Sequence, residues 1–313
     1  MKIVFLDAAT LGDVSLSPIA GLGELVTYPH SSAAEAPERV SGAEVLIVNK
    51  VKVTPELMDS APGLKLICEA ATGVNNIDLR AASERGIEVR NVAAYSTESV
   101  VQITFSHIFN LMADMRRFDD EVRDGTYSRS ALFTDVSAPF TEIAGKTIGI
   151  VGMGAIGQRV ACVASALGMK VIYYSTSGTS HCRDYPSVSL ERLMAESDVV
   201  SVHCPLTPLT DGLISSRELS SMKNSAILVN MARGGIVDEQ ALSDALDAGT
   251  IAGAAVDVYT KEPLPEDHPY LRLSPGRIRF TPHVGWASRE AIGRLVQGIA
   301  ENIRIWYAQG GAI

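Results

Sequence analysis

An apolar run that ends in three spaced glycines constrains the fold of this chain most strongly. Residues 148–151 are predicted as a short buried strand, and Gly152, Gly154 and Gly157 follow it as G-x-G-x-x-G. The first glycine permits a tight turn, the second lets the backbone approach a ligand, and the third lets the next helix pack on its strand. The free N–H groups of that helix then face an anion. We therefore expect a dinucleotide pyrophosphate here, although glycine-rich turns also serve purely structural roles.

The composition restricts the class of protein. With 313 residues, of which 46% are hydrophobic, the chain can bury a large core and is expected to form two domains. Its net charge of −9 argues against a nucleic-acid partner, because basic surfaces bind phosphate backbones. No apolar run approaches the roughly 20 residues of a membrane span, so we expect a cytoplasmic protein without a membrane partner. The four cysteines lack metal-site spacing, which predicts reduced thiols and no metal.

Apolar runs alternate with helical patterns along the chain, as is typical of βα units. Strands are predicted at 3–6, 24–28, 45–48, 64–69 and 87–89, and then at 147–151, 170–174, 199–203, 226–230, 253–256 and 278–280. The glycine-rich turn should lead into a helix over 158–167 that Gly168 caps. A long helix without Pro or Gly should start near Ser96, and a helix over 288–307 has one apolar face.

This pattern predicts two doubly wound parallel-sheet α/β domains, Rossmann-like or flavodoxin-like, with a ligand cleft between them. The last helix is expected to return to the first domain. A discontinuous substrate-binding domain would then contain residues 1–96 and 287–313, and a dinucleotide-binding domain would contain residues 97–286.

Polar residues follow three neighbouring predicted strands. Arg233, Asp257 and His283 each lie at or just beyond a strand end, where loops of an open α/β sheet converge on a ligand. Glu262 lies on a loop that could reach the same place. Arginine can bind the carboxylate of a 2-keto acid, while a His–Glu pair supplies a proton, so the set suits reversible hydride transfer. Read alone, Glu262 is better explained as a solvated loop charge, and His283 is equally well explained as a helix-entry residue satisfied by the backbone.

At these residues the chain resembles the NAD(P)-dependent D-2-hydroxyacid dehydrogenases over nearly its whole length. The ordered segments that carry the resemblance are ATGVNNID, YSTESV, GIVGMGAIGQRVA, HCPLTP, NMARGGIVDEQAL, AAVDVYTKEP and TPHVGWASRE. The resemblance implies that Arg233 binds substrate, that His283 is the acid/base, that Glu262 is its partner and that Asp257 lies near the nicotinamide. It further implies a substrate-binding group comprising Val48, Asn49, Lys50 and the backbone N–H groups of Thr72, Gly73 and Val74.

The resemblance also implies a set of cofactor contacts. Besides Gly152, Gly154, Gly157 and Asp257, these are Thr104, Ala155, Ile156, Ser175, Cys204, Pro205, Thr210, Met231, Ala232 and Gly285. Many NAD-using relatives have an acidic residue at the end of the second strand of this domain, where the present chain has Ser175. His181 and Arg183 are candidates for contact with a 2′-phosphate, and they are equally well explained as solvated residues. We therefore expect NAD(H), with NADP(H) also possible.

The segment around His283 most resembles glycerate dehydrogenases, also called hydroxypyruvate reductases. Trp286 would narrow the substrate pocket, which favours hydroxypyruvate or glyoxylate over larger 2-keto acids. Glu262 argues for the hydroxyacid reaction, because related formate dehydrogenases have glutamine there. The resemblance also suggests a homodimer that forms through the cofactor domain. Two alternatives remain: a dehydrogenase of another 2-keto acid, and a dinucleotide-sensing, corepressor-like binding protein.

Overall fold

The computed structural model describes residues 1–137, 139–179, 182–274 and 276–310. The chain forms two compact units. Unit 1 contains Met1–Ser96 and Trp286–Ile313, and unit 2 contains Thr97–Gly285. The second boundary lies one residue before the expected one, because Trp286 packs with the core of unit 1. No helix in the described ranges is both long and apolar enough to cross a membrane.

Strands and helices alternate in the order that βα units require. The strands are β1 Lys2–Phe5, β2 Glu24–Thr27, β3 Val45–Val48, β4 Leu66–Glu69, β5 Glu88–Arg90, β6 Thr147–Val151, β7 Lys170–Tyr174, β8 Val199–Val202, β9 Ile227–Asn230, β10 Gly253–Val256 and β11 Ile278–Phe280. The helices are α1 Ser17–Ala20, α2 Ala36–Arg39, α3 Pro55–Asp59, α4 Leu79–Glu84, α5 Thr97–Ala113, α6 Met115–Arg123, α7 Ala155–Ala166, α8 Leu190–Glu196, α9 Ser216–Ser220, α10 Glu239–Asp247 and α11 Arg289–Ala308. Every predicted strand is present, with ends displaced by at most two residues.

The sheet of unit 1 has the strand order β2-β1-β3-β4-β5, and all its strands are parallel. The central strands β3 and β4 are buried along their whole length, since a parallel sheet is covered on both faces. Helix α11 covers one face with Leu295, Ile299 and Ile303, which are fully buried. The predicted apolar face of the last helix is therefore confirmed.

The sheet of unit 2 has the order β11-β10-β9-β8-β6-β7 and is also parallel. A single parallel bridge between Tyr173 and Ser187 extends it beyond β7. The chain leaves β6 toward β7 and later returns to β8 on the other side of β6. The direction in which successive strands are added to the sheet therefore reverses between β6 and β8. Sheets of this kind bind ligands at the point of reversal. The prediction of two doubly wound α/β sheets is confirmed.

The long helix predicted to start near Ser96 is present as α5, but the helical segment is broken after 17 residues, which the sequence did not predict. Helix α5 ends at Ala113, and Asp114 takes a left-handed conformation with φ of 41° before α6 begins. Arg279 of β11 holds the break, because its guanidinium donates to Asn110 Oδ1 at 2.9 Å and to Asp114 Oδ1 at 2.9 Å. Such a long-range clamp cannot be recognised from helix propensity alone.

Unit 1 buries a carboxyl group at the end of β4. Glu69 has no exposed surface, and its Oε2 accepts a hydrogen bond from Asn76 Nδ2 at 2.9 Å, whereas its Oε1 has no partner in the described residues. Burial raises the pKa of Glu69 to about 8; the Asn76 hydrogen bond opposes this rise, Asp7 adds to it, and Lys50 lowers the pKa slightly. The folded state thus favours protonated Glu69 at neutral pH.

This burial predicts that stability falls as pH rises from about 4.5 to about 8. The pKa of Glu69 in the folded state lies above its ordinary value of 4.5. Its contribution to the free energy of unfolding is therefore complete below about pH 4.5 and is lost as pH rises through about 8. The full loss is on the order of 4 kcal/mol. We expect Glu69→Gln to flatten the fall in melting temperature between pH 6 and pH 9. The exposed Glu24→Gln serves as control, and equal slopes in all three proteins would contradict a neutral Glu69.

Candidate active site

The three glycines after β6 occupy different environments. Gly152 has φ of 95°, and a Cβ there would lie 2.7 Å from the backbone nitrogen of Cys204. A Cβ on Gly157 would lie 2.2 Å from Gly152 O. Gly154, by contrast, has an ordinary φ of −76° and open space where a Cβ would be. The turn and helix packing therefore require two of the glycines, and the third leaves an open backbone.

Helix α7 begins directly behind this open backbone. Gly154 is its N-cap, and Ala155 and Ile156 form its first turn, whose N–H groups have no acceptors within the helix. The helix ends before Gly168, which has φ of 80° as expected for a cap. A pyrophosphate fits this arrangement, because the helix start offers N–H donors and Gly154 places no side chain in front of them. These residues would hold a dinucleotide.

The loop after β8 borders the same turn. Burial raises the pKa of the Cys204 thiol to about 11, so it is not a reactive cysteine. Burial likewise lowers the pKa of His203 to about 3; its Nε2 lies 2.7 Å from Ser201 Oγ, and its buried Nδ1 has no partner in the described residues. The hydroxyl of Thr210 donates to Pro205 O at 2.7 Å and so fixes the loop.

Several other expected cofactor contacts lie inside unit 2. Thr104 is fully buried in α5, and its hydroxyl donates to Val100 O at 2.7 Å. Met231 and Ala232 are also buried after β9. A Cβ on Gly285 would lie 2.9 Å from both Asp257 Oδ2 and the end of the Met231 side chain. The side chains of Thr104 and Met231 are thus part of the core of unit 2, on which the loops pack.

Ser175 follows β7, next to the strand that leads into the glycine turn. Its hydroxyl donates to Thr179 O at 2.7 Å and lies 3.2 Å from Ser177 Oγ. Tyr174 O accepts from Gly152 N–H at 3.0 Å, which joins this strand end to the turn. Arg183 is exposed, and His181 lies outside the described residues. The strand end therefore presents a small hydroxyl and no carboxylate.

The structure brings His283 and Glu262 together. His283 Nδ1 lies 2.7 Å from Glu262 Oε2, and Glu262 Oε1 accepts from Tyr259 N–H at 3.0 Å. Because a carboxylate can only accept, the imidazole carries its proton on Nδ1 and presents Nε2 as the free nitrogen. The His283 side chain keeps 22% of its surface exposed. It also has φ of 53°, which is uncommon for a residue other than glycine.

Strand register places the remaining polar residues at the same edge of the sheet. Asn230, Val256 and Phe280 are partners across β9, β10 and β11. Arg233 lies three residues after Asn230, and His283 lies three residues after Phe280. Asp257 comes directly after Val256 and accepts from Val284 N–H and Gly285 N–H, each at 2.8 Å. Asp257 thus fixes the backbone immediately behind His283.

Arg233 lies on the loop after β9. Asn230 Nδ2 donates to Arg233 O at 3.1 Å, and one guanidinium N–H donates to Ala232 O at 2.7 Å. The ion pairs found within the described ranges do not include Arg233. Most of the guanidinium is therefore available to an anion.

The sequence analysis missed two residues that support this edge of the sheet. His107 of α5 has its Nε2 3.1 Å from Thr281 Oγ1, and burial lowers its pKa while Asp257 raises it to a smaller extent. The hydroxyl of Tyr259 donates to Thr281 O at 3.0 Å. His107 lies far from His283 in sequence, and Tyr259 looks like an ordinary aromatic residue within its segment, so only the folded chain shows their role.

In unit 1, the loop after β3 is held by a buried carboxylate. Asp7, directly beyond β1, accepts from the N–H groups of Asn49, Lys50 and Val51 at 2.6 to 3.2 Å. These N–H groups are therefore unavailable to a ligand, and Asn49 is itself buried. Lys50 has an exposed side chain, so its ammonium group is available for contact with an anion.

The loop after β4 behaves differently. The N–H groups of Thr72, Gly73 and Val74 have no acceptor among the described residues. The Thr72 hydroxyl instead donates to Val92 O at 3.1 Å, which ties the loop to the chain after β5. Trp286 is half-buried in this unit and packs edge to face on Tyr95, with ring centroids 6.5 Å apart.

Comparison with known proteins shows the family to which the chain belongs. Residues 105–285 match the NAD-binding domain of the D-isomer specific 2-hydroxyacid dehydrogenases. The glycerate dehydrogenase of Methylorubrum extorquens is 38% identical, covering 98% of this chain and 96% of its own. The hydroxypyruvate reductase of Blautia hydrogenotrophica is 34% identical, covering 97% and 96%.

A solved structure gives the same result. The D-lactate dehydrogenase of Aquifex aeolicus, in complex with NAD and lactic acid, superposes with a TM-score of 0.86 at 28% identity, covering 99% of this chain and 96% of that one. The match of unit 2 to an NAD-binding domain and the nearly full-length relatives lead to one conclusion. This chain belongs to the D-isomer specific 2-hydroxyacid dehydrogenases, a family of NAD-binding oxidoreductases.

Proposed function

We propose that this chain reduces hydroxypyruvate or glyoxylate to D-glycerate or glycolate, reversibly, with NAD(H) and also with NADP(H). The hydrogen bond of 2.7 Å between His283 and Glu262 carries the proposal, because it creates an acid/base at a strand end beside the expected cofactor site. The names of the full-length relatives, a glycerate dehydrogenase and a hydroxypyruvate reductase, support the substrate.

Each polar residue has a separate role in this proposal. Bound NAD(P)H supplies the hydride. Imidazolium His283 donates its Nε2 proton to the substrate oxygen during reduction, and neutral His283 accepts that proton during oxidation. Glu262 stabilises the imidazolium through Nδ1 and fixes the ring orientation. Asp257 holds the backbone after His283, and by the family resemblance it would be one of the residues that hold the nicotinamide half of the cofactor.

Substrate binding is assigned to an arginine and to a backbone loop. Arg233 binds the carboxylate with its planar fork and polarises the carbonyl. The unpaired N–H groups of Thr72, Gly73 and Val74 bind the carboxylate as well. Lys50 adds a positive charge, and Trp286 limits the size of the substrate side chain. A negatively charged protein can thus bind an anion with few cations.

The oligomeric state is part of the proposal. Unit 2 exposes several large apolar side chains after α6, namely Leu132, Phe133, Val136 and Phe140, of which Phe133 is 88% exposed. Such a patch favours association, and we infer a homodimer formed through the cofactor domain. We also place the protein in the cytoplasm, since Cys68, Cys162, Cys182 and Cys204 are free thiols, as expected in a reducing compartment.

The test of the proposal is turnover with purified protein. Hydroxypyruvate, glyoxylate, pyruvate and larger 2-keto acids are each assayed with NADH and NADPH. We expect the highest kcat/KM for hydroxypyruvate or glyoxylate. Preference for another acid would assign a different dehydrogenase, and binding of NADH without any turnover would favour a dinucleotide-sensing protein.

Arg233→Lys tests the binding fork. The variant keeps the charge but loses bidentate geometry, so kcat/KM for hydroxypyruvate should fall by the equivalent of about 2–5 kcal/mol. Arg217→Lys, an exposed arginine of α9, should leave the activity unchanged. Values for Arg233→Lys within twofold of the parent would remove this residue from the substrate site.

Gly154→Ala separates cofactor binding from folding. The added methyl group meets nothing within 4 Å, so the melting temperature should stay close to that of the parent. The affinity for NADH should weaken at least about tenfold, because the methyl group stands where the pyrophosphate approaches. Gly293→Ala, in open space on α11, is the control for both measurements. Unchanged NADH affinity in Gly154→Ala would place the pyrophosphate elsewhere.

Ser175→Asp tests cofactor preference. A carboxylate at this strand end would accept from the ribose 2′-OH and repel a 2′-phosphate. The ratio of kcat/KM for NADH to that for NADPH should rise by about tenfold, or about 1.4 kcal/mol. Ser220→Asp on α9 controls for the added charge. If the ratio does not change, Ser175 does not face the adenosine ribose.

A further inference from the structure

One carboxylate outside the proposed catalytic set binds both ends of the loop that carries Glu262. Glu239, the first residue of α10, accepts from Thr260 N–H at 2.7 Å through Oε1. Its Oε2 lies 3.0 Å from His268 Nε2. Thr260 precedes Glu262 by two residues, and His268 follows it by six. The loop is therefore closed at its base by a single side chain.

The His268 bond does not require a charged histidine. His268 is buried, and its Nδ1 accepts from Tyr270 N–H at 3.3 Å. Because a backbone N–H can only donate, the imidazole proton must be on Nε2, from which it is donated to Glu239. The ring also packs edge to face on Tyr270, with centroids 4.6 Å apart. This end of the loop is thus fixed in one tautomer and one orientation.

The backbone at the Thr260 end of the loop is also held in one position. A Cβ on Gly234 would lie 2.0 Å from Tyr259 C and 2.2 Å from Thr260 N, so the loop after β9 packs directly on this backbone. The Glu239 backbone is itself held, because Asp238 caps α10 by accepting from Ala241 N–H at 2.9 Å. Because the start of α10 is rigid, the hydrogen bond from Thr260 N–H to Glu239 fixes the position of the Thr260 backbone.

This arrangement leads to Glu262. Tyr259 N–H, one residue before Thr260, donates to Glu262 Oε1, and Glu262 Oε2 accepts from His283 Nδ1. We propose that Glu239 is a positioning residue, which places Glu262 so that His283 is held with its proton on Nδ1. The proposal rests on the proposed function, in which the His283 and Glu262 pair transfers the proton.

Kinetics of Glu239→Ala test this role. The variant removes both acceptors, so kcat for hydroxypyruvate reduction should fall about tenfold or more, whereas KM for NADH should change less than about twofold. In a Glu262→Gln background the same substitution should reduce kcat by less than about threefold, because the pair is already broken. Asp244→Asn removes a carboxylate from the exposed face of α10 and should have no effect. Equal losses of kcat in both backgrounds would overturn the proposal.

A second measurement does not depend on turnover. The ¹⁵N chemical shifts of the His283 ring report which nitrogen is protonated. The parent should show the Nδ1–H form, and Glu239→Ala should change these shifts in the same direction as Glu262→Gln while the protein remains folded by melting temperature. Unchanged His283 shifts in folded Glu239→Ala would overturn the positioning role. If the parent lacks turnover but the shifts change, the positioning role stands and the proposed reaction fails.

Discussion

Register between parallel strands is the constraint on which the site of unit 2 depends. Asn230, Val256 and Phe280 are side by side in β9, β10 and β11, so the loops that follow all leave from the same edge. A slip of one residue would turn every side chain of a strand to the opposite face. Both faces of β9 and β10 are buried, so the register is fixed by close packing of side chains of different size and not by an alternation of apolar and polar residues. Packing of the core therefore sets the positions of the loops that carry Arg233, Asp257 and His283.

Carboxylates that accept from backbone N–H groups order the loops after strands in both units. Asp7 binds the loop after β3, Asp257 binds the loop after β11, and Glu239 binds the chain after β10. Hydrogen bonds from N–H groups to a charged acceptor are stronger than those between neutral groups. Part of the negative charge of this protein thus serves to order its loops and not only to keep its surface hydrated.

The sequence predicted the parts of the structure that depend on local patterns. Strand positions and the apolar face of α11 followed from periodicity, and the roles of Gly152 and Gly157 followed from spacing. The break at Asp114 did not, because Arg279, 165 residues away, stabilises it. Glu239 and His268 were also missed, since neither lies at a strand end and each looks like an ordinary polar residue until the loop between them closes. The pairing of His283 with Glu262 was predicted from their loop positions and from the family resemblance, but only the folded chain gives the distance of 2.7 Å between them.

The left-handed backbone at His283 has a consequence for how this position can vary. A residue with φ of 53° costs little for glycine or asparagine, but a branched side chain such as valine or threonine would add backbone strain of about 1–2 kcal/mol. Most replacements therefore disturb the path of the chain as well as removing the imidazole. Asparagine tolerates the same dihedral angles and lacks a ring that can transfer a proton. Asparagine and glycine are therefore the replacements that would remove the acid/base with the least strain on the loop.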